Sequence, residues 1–154
     1  MTLVDTNLIS RYLRPEAETK YRGEHEFVDG LIESGSLAIS FVTQFELRRG
    51  VEDLVLEGQG RRRLVDLEKF LDRVEVLGLD LGNGMGWNLA AQLWAKARQQ
   101  RPAVVFTDAD LLIAVTAALH GRAFATSEAR LAENLRRIEY TAPMQVIETS
   151  SEAD

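Results

Sequence analysis

The sequence predicts an α/β fold, a three-layer α/β/α sandwich around a mainly parallel sheet of about five strands. Two observations carry this expectation. Short apolar runs alternate along the whole chain with longer segments of helical periodicity, the pattern of successive βαβ units. The 154 residues are 45% hydrophobic and 27% charged, which suits one domain with its own core rather than two. Residues 1–148 are therefore expected to form a single domain, with the polar run 149–154 (TSSEAD) as a frayed tail.

The elements follow in order. Thr2 to Val4 is a short apolar strand closed by Asp5, and Leu8 to Leu13 reads as a short helix stopped by Pro15. Glu24 to Glu33 places Phe27, Val28, Leu31 and Ile32 on one helical face, Gly35 ends it, and Leu37 to Phe41 is a second strand. Thr43 opens the next helix with Glu46 three residues on, the spacing of a capping box. A helix near Arg61 to Arg73 carries the stripe Leu64, Leu67, Phe70 and Leu71, and Val74 to Leu77 is a strand. Gly84 to Gln100 forms a long helix on Trp87, Leu89, Ala90, Leu93, Trp94 and Ala97. Ala103 to Phe106 fits either a strand or a loop. Asp108 to Leu119 is the most apolar helix and Gly121 follows it; Ala123 to Ala125 is a strand, Glu128 to Arg137 a helix, and Met144 to Ile147 the last strand.

Composition removes several chemistries. With no cysteine there is no thiol nucleophile, iron–sulfur cluster or Cys-ligated zinc, and two histidines leave little for an imidazole site. Any metal would be a hard cation held by oxygen. No apolar run reaches the roughly 20 residues of a membrane span, and MTLVDTNLIS lacks the basic and apolar regions of a signal peptide. A cytoplasmic location is expected. The net charge of −6 argues against a basic nucleic-acid coat but is compatible with an acidic catalytic site served by a small basic patch.

Ligands of an open parallel sheet sit beyond the carboxyl ends of its strands. Asp5, Glu46, Asp108, Asp110 and Glu128 all fall at such places. Crowded carboxylates raise one another's pKa, and a divalent cation relieves the repulsion. Oxygen-only ligation favours Mg²⁺ or Mn²⁺, which activates water and stabilises charge on a phosphoryl oxygen. Taken singly, the same acids also serve helix N-termini: Glu46 as half of a capping box, Asp108 as an N-cap and Glu128 as a first-turn acid. Asp5 fits that plainer role least well.

These segments resemble the PIN-domain ribonucleases, and in length the VapC-type toxins of toxin–antitoxin pairs. Val4-Asp5-Thr6-Asn7-Leu8-Ile9 is similar to the family's first motif, Thr43-Gln44-Phe45-Glu46-Leu47-Arg48-Arg49-Gly50 to its second and Asp108-Ala109-Asp110-Leu111-Leu112-Ile113-Ala114 to its third. Gly121 and Ala123-Phe124-Ala125-Thr126 resemble the strand before the fourth. The resemblance implies a PIN-like sheet and a metal-dependent endoribonuclease. It implies Asp5, Glu46 and Asp110 as core ligands of Mg²⁺ or Mn²⁺, with Asp108 as an extra acid. Thr6 or Asn7 would position Asp5 or a water, with Thr126 supporting. It also implies an RNA substrate, a small cognate antitoxin and a homodimer. The run Thr126-Ser127-Glu128-Ala129-Arg130 departs from the family's usual Arg-Asn or Arg-Asp after this Thr, and Glu128 takes the Asn/Asp position. Loss of a ligand acid would instead mark a degenerate scaffold that only binds RNA or a partner. A sheet phosphatase would need a second acid where Asn7 stands.

Arg11 and Arg14, just past the first motif, and Arg61 and Arg62 are possible RNA contacts. The helical pair bearing Arg48, Arg49 and Arg61 to Arg63 is also where the family binds antitoxin. Trp87 and Trp94, two turns apart, are expected in the core. His25 and His120 are expected to be structural or exposed. Phe27, Phe41, Phe45 and Phe70 suit either core or an apolar dimer or partner surface.

Overall fold

The computed structural model describes residues 1–148; the expected tail lies outside them. Its strands are β1 (Thr2–Val4), β2 (Leu37–Ser40), β3 (Glu75–Leu77), β4 (Ala123–Thr126) and β5 (Met144–Val146). They form one parallel sheet in the order β3-β2-β1-β4-β5. The central pairings align Leu3 with Ala38 and with Phe124, and Val4 with Ala125. The helices are α1 (Thr6–Tyr12), α2 (Ala17–Lys20), α3 (Arg22–Glu33), α4 (Phe41–Leu56), α5 (Arg61–Leu71), α6 (Met85–Gln99), α7 (Asp108–Leu119) and α8 (Ala129–Arg137).

Strand alternation sorts the core into two layers. Leu3, Ala38 and Phe124 point to one face, where Ala97, Ile113, Ala114, Ala117, Leu131 and Leu135 cover them from α6, α7 and α8. Val4, Leu37, Ile39 and Ala125 point to the other, against Leu8, Ile9, Val28, Ile32, Leu67 and Phe70 from α1, α3 and α5. This is the expected α/β/α sandwich. Each fully buried Leu, Ile or Phe contributes roughly 1.5–3 kcal/mol, so the two layers stabilise the short strands that carry the site. Helix α4 packs against α1, α5 and α7 and so touches both layers. Gly35 ends α3 at φ 66°, a conformation that glycine adopts without strain. Gly86 lets α6 approach the chain after β3: a Cβ there would meet the Leu79 carbonyl oxygen at 2.6 Å.

Several local expectations are corrected. Strand β2 ends at Ser40, whose hydroxyl accepts from Val42 N at 3.1 Å and caps α4. Phe41 is therefore the first helical residue, and Thr43 lies inside the helix rather than at its cap. Helix α1 starts at Thr6, two residues before the apolar periodicity begins, because Asp5 caps it. Thr107, not Asp108, caps α7 through Asp110 N at 3.1 Å. Glu128 occupies the N-cap position of α8 but makes no side-chain cap bond. Ala103 to Phe106 is loop, with Val104 buried and Val105 exposed. Trp87 and Trp94 are half-exposed instead of core: Trp87 donates to Asp80 at 2.7 Å, and Arg98 lies over the Trp94 ring. Of the phenylalanines, Phe70 is buried while Phe41 and Phe45 are exposed. His120 donates to the Gly78 carbonyl at 2.7 Å and His25 stacks on Tyr12.

Candidate metal centre

Asp5 follows β1 directly and is 3% exposed. One carboxylate oxygen accepts the Leu8 N–H at 3.0 Å, capping α1. The other accepts the hydroxyl of Thr126 at the end of the adjacent strand β4. Thr126 in turn accepts Glu128 N at 3.0 Å, which ties the start of α8 to the same point. Burial pushes the Asp5 carboxyl up to about 6. The bonds from Thr126 and Leu8 pull the other way, while the charges of Glu128 and Asp110 add to the rise. Asp110 and Glu128 thus lie close enough to Asp5 for their charges to act on it, and both line a cavity of about 570 Å³ with Thr107 and Asn134.

Glu46 stands on the other side of α1. The Thr6 hydroxyl donates to Glu46 Oε1 at 2.8 Å and lies 3.0 Å from the Thr43 hydroxyl. Thr6 has one proton and gives it to Glu46, so Thr43 is the donor in the second bond. Asn7 Nδ2 donates to Glu128 Oε1. Arg49 approaches Glu46 Oε2 at 3.7 Å. The successive residues Asp5, Thr6 and Asn7 therefore reach β4, α4 and the start of α8. Thr43 is the participant that sequence reasoning missed. Its signal was present, since it lies one helical turn before Glu46 and shares its face.

Thr126 thus ties the Asp5 carboxylate to the start of α8 at the carboxyl ends of β1 and β4, Asp110 stands in the first turn of α7 near enough for its charge to act on Asp5, and Thr6, next to Asp5 in sequence, holds Glu46. It leaves Asp108 exposed on the first turn of α7. Among the described residues no group of three acidic or histidine side chains is gathered into a ready metal-binding cluster. Asp5, Glu46 and Glu128 are instead each held by a hydroxyl or amide donor. The donor chemistry still fits a hard divalent cation: every convergent group is an oxygen ligand, and like charges raise the buried one.

Fold and site together define a doubly wound parallel-sheet protein with carboxylates at its strand ends. The PIN domain matches residues 2–136, and the chain belongs to that family. Among solved structures it is similar to DNA-bound VapBC from Salmonella typhimurium (23% identity, 94% of this chain and 96% of that one, TM-score 0.73). It is similar to FitAcB from Neisseria gonorrhoeae (26%, 94% and 96%, TM-score 0.64). A third likeness is VapBC-5 from Mycobacterium tuberculosis, a member of the VapBC family of toxin-antitoxin systems (22%, 96% and 98%, TM-score 0.55). Comparison with curated protein sequences gave no significant match.

Proposed function

We propose that this chain is a divalent-metal-dependent endoribonuclease that hydrolyses RNA phosphodiester bonds as the toxin of a toxin–antitoxin pair. The observation that carries the reading is the buried Asp5 carboxylate at the end of β1, fixed by Leu8 N–H and by Thr126, which also holds the start of α8 at Glu128, in a chain of the PIN-domain family. Asp5, Glu46 and Asp110 would hold Mg²⁺ or Mn²⁺, with Asp108 and Glu128 contributing from further out. When bound, such a cation supplies positive charge for a phosphoryl oxygen and lowers the pKa of water. The chain's own residues do the positioning. Thr126 and Leu8 N–H orient Asp5, Thr6 orients Glu46, and Asn7 orients Glu128.

Partners belong to the same reading. A small antitoxin encoded beside this protein would neutralise it at α4 and α5, where Arg62 and Arg63 border a cavity with Leu13, Leu54 and Asp66. A homodimer is supported by exposed Phe41, Phe45 and Trp87, which share one cavity beside Glu46. No helix among the described residues is long and apolar enough to cross a membrane.

A degenerate scaffold that binds RNA or a partner without cutting is the competing reading; loss of a ligand acid would mark it, and Asp5, Glu46 and Asp110 are all present. Cleavage of RNA by purified protein separates the two. Activity with Mg²⁺ or Mn²⁺ that EDTA abolishes supports the enzyme. No cleavage under any metal supports the scaffold, and full activity in metal-free buffer overturns the metal assignment.

A further inference from the structure

Tyr21 stands between α2 and α3 with three cations around its ring. The Arg11 and Arg14 guanidinium carbons lie 5.7 and 5.6 Å from its centroid, and Lys20 Nζ lies 5.5 Å away. Arg14 also donates to the Tyr21 hydroxyl at 2.9 Å. Among the described residues none of the three is within ion-pair distance of a carboxylate, although Glu16 and Glu18 stand close by in sequence. Arg11 Nη1 is shielded from solvent and has no acceptor. That donor is left unsatisfied in the structure.

Three cations around one ring repel each other, and the ring's quadrupole offsets only part of that repulsion. In a chain of net charge −6 such a group is conspicuous. A polyanion with several phosphates would satisfy all three at once.

Position supplies the second argument. Asn7, Arg11 and Arg14 are spaced i, i+4 and i+7, so they follow one face of α1 and the turn after it. That face begins at Asn7, which donates to Glu128 at the acidic rim. At its far end Arg14 lines a cavity of about 270 Å³ with Thr6, Ser10 and Glu46. The cations begin where the acids end.

We propose that Arg11, Arg14 and Lys20, ordered around Tyr21, form a phosphate-backbone subsite that holds a flank of single-stranded RNA beside the acidic rim. The choice of RNA rests on the nuclease reading above. The test measures binding of a short, labelled single-stranded RNA to the full chain in EDTA, across a salt series, for the parent, the single Gln variants of Arg11, Arg14 and Lys20, and the triple variant. The triple variant should bind roughly 10- to 100-fold more weakly at low salt, and its log–log salt slope should be shallower by about 2, since each lost single-strand phosphate contact removes about 0.7. Arg14→Lys, which keeps the charge, should retain most of the affinity. In cleavage assays the loss should fall on KM rather than kcat. Unchanged RNA affinity in a folded triple variant overturns the subsite, as does loss of antitoxin neutralisation with RNA binding intact. The two readings fail separately. RNA that binds through these cations but is never cut leaves the subsite standing and removes the nuclease. Cleavage with parental KM in the triple variant does the reverse. A parent chain that binds no RNA removes both.

Discussion

The carboxylate of Asp5 at the end of β1 accepts the hydroxyl of Thr126 at the end of β4, although 121 residues separate them. Parallel pairing of Val4 with Ala125 makes this contact possible, because it brings the next residue of each strand to the same edge. The bond lowers the Asp5 pKa against the effect of burial. Thr126→Val should therefore raise that pKa and move the acidic limb of the pH–rate profile upward. Cleavage at neutral pH should fall roughly 10- to 100-fold, as when an orienting partner of a metal ligand is lost. A profile that does not move would separate Thr126 from the site.

The acids themselves should rank. Asp5→Asn, Glu46→Gln and Asp110→Asn are expected to abolish detectable cleavage in folded protein. The backbone of Asp110 is firmly placed, since α7 behind it buries Leu111, Ile113, Ala114, Val115 and Ala117. Asp108→Asn and Glu128→Gln should lose less, roughly 10- to 100-fold. Cleavage rates for all five variants, with Mg²⁺-dependent melting, decide it. An Asp108→Asn that alone removes both signals would reverse the order.

Product ends offer an independent check on the reaction. Hydrolysis by water at phosphorus should leave 5′-phosphate and 3′-hydroxyl ends. Attack by the RNA 2′-hydroxyl would need an acid–base pair, commonly with His; here His120 is bonded to the Gly78 carbonyl and His25 is stacked on Tyr12. Recovery of 2′,3′-cyclic phosphates would contradict the mechanism.

Stability in EDTA should depend on pH through Asp5. Its carboxyl is raised from 3.8 to about 6 on folding, so the native state holds its proton more tightly than the unfolded chain. The associated stability is fully present below about pH 4 and is lost as pH rises through about 6. A shift of about 2 units at about 1.4 kcal/mol each amounts to about 3 kcal/mol. Asp5→Asn should remove that slope and melt above the parent in EDTA at neutral pH, while retaining the cap on Leu8. Urea midpoints across the pH range measure this, and parallel curves for parent and variant would refute it.

Charge reversal at Arg61 and Arg62 should weaken antitoxin binding more than metal binding. Both side chains are exposed on the first turn of α5 and take no part in the bonds that hold Asp5 and Glu46. Calorimetry with Mg²⁺ and pull-down with the antitoxin make the comparison. Unchanged antitoxin affinity would place the interface elsewhere.

Glu24 provides a test of packing alone. It is fully buried in α3, and neither carboxylate oxygen has a hydrogen-bond partner among the described residues. Glu24→Met should stabilise the protein by roughly 1–3 kcal/mol, because it removes an uncompensated polar burial while keeping the volume. A lower melting temperature would mean that the carboxylate is satisfied in solution.

Much of the architecture was legible in the sequence. The apolar runs at Thr2–Val4 and Leu37–Ser40 and the helical stripes of α5 and α7 are local signals, because alternation and helical periodicity state which face must be buried. Position after a strand singled out Asp5 and Glu128 as candidates, since ligands gather where the polypeptide leaves a parallel sheet, whereas Asp110 follows a loop and Glu46 lies in the second turn of α4. Local pattern could not report what faces each residue across space. Thr43 sits three before Glu46 and reads as a cap, yet Ser40 takes that role and Thr43 turns to Thr6 on another helix. Trp87 and Trp94 repeat with core spacing but lie half-exposed, because α6 buries its face of Gly86, Ala90 and Ala97 instead. The gathering of Arg11, Arg14 and Lys20 on Tyr21 likewise depends on how the chain turns between α1 and α3. Sequence determined the elements, their order and the acids at their ends. Tertiary structure decided the partners, because a hydrogen bond or a cation–ring contact between distant residues exists only once the layers have packed.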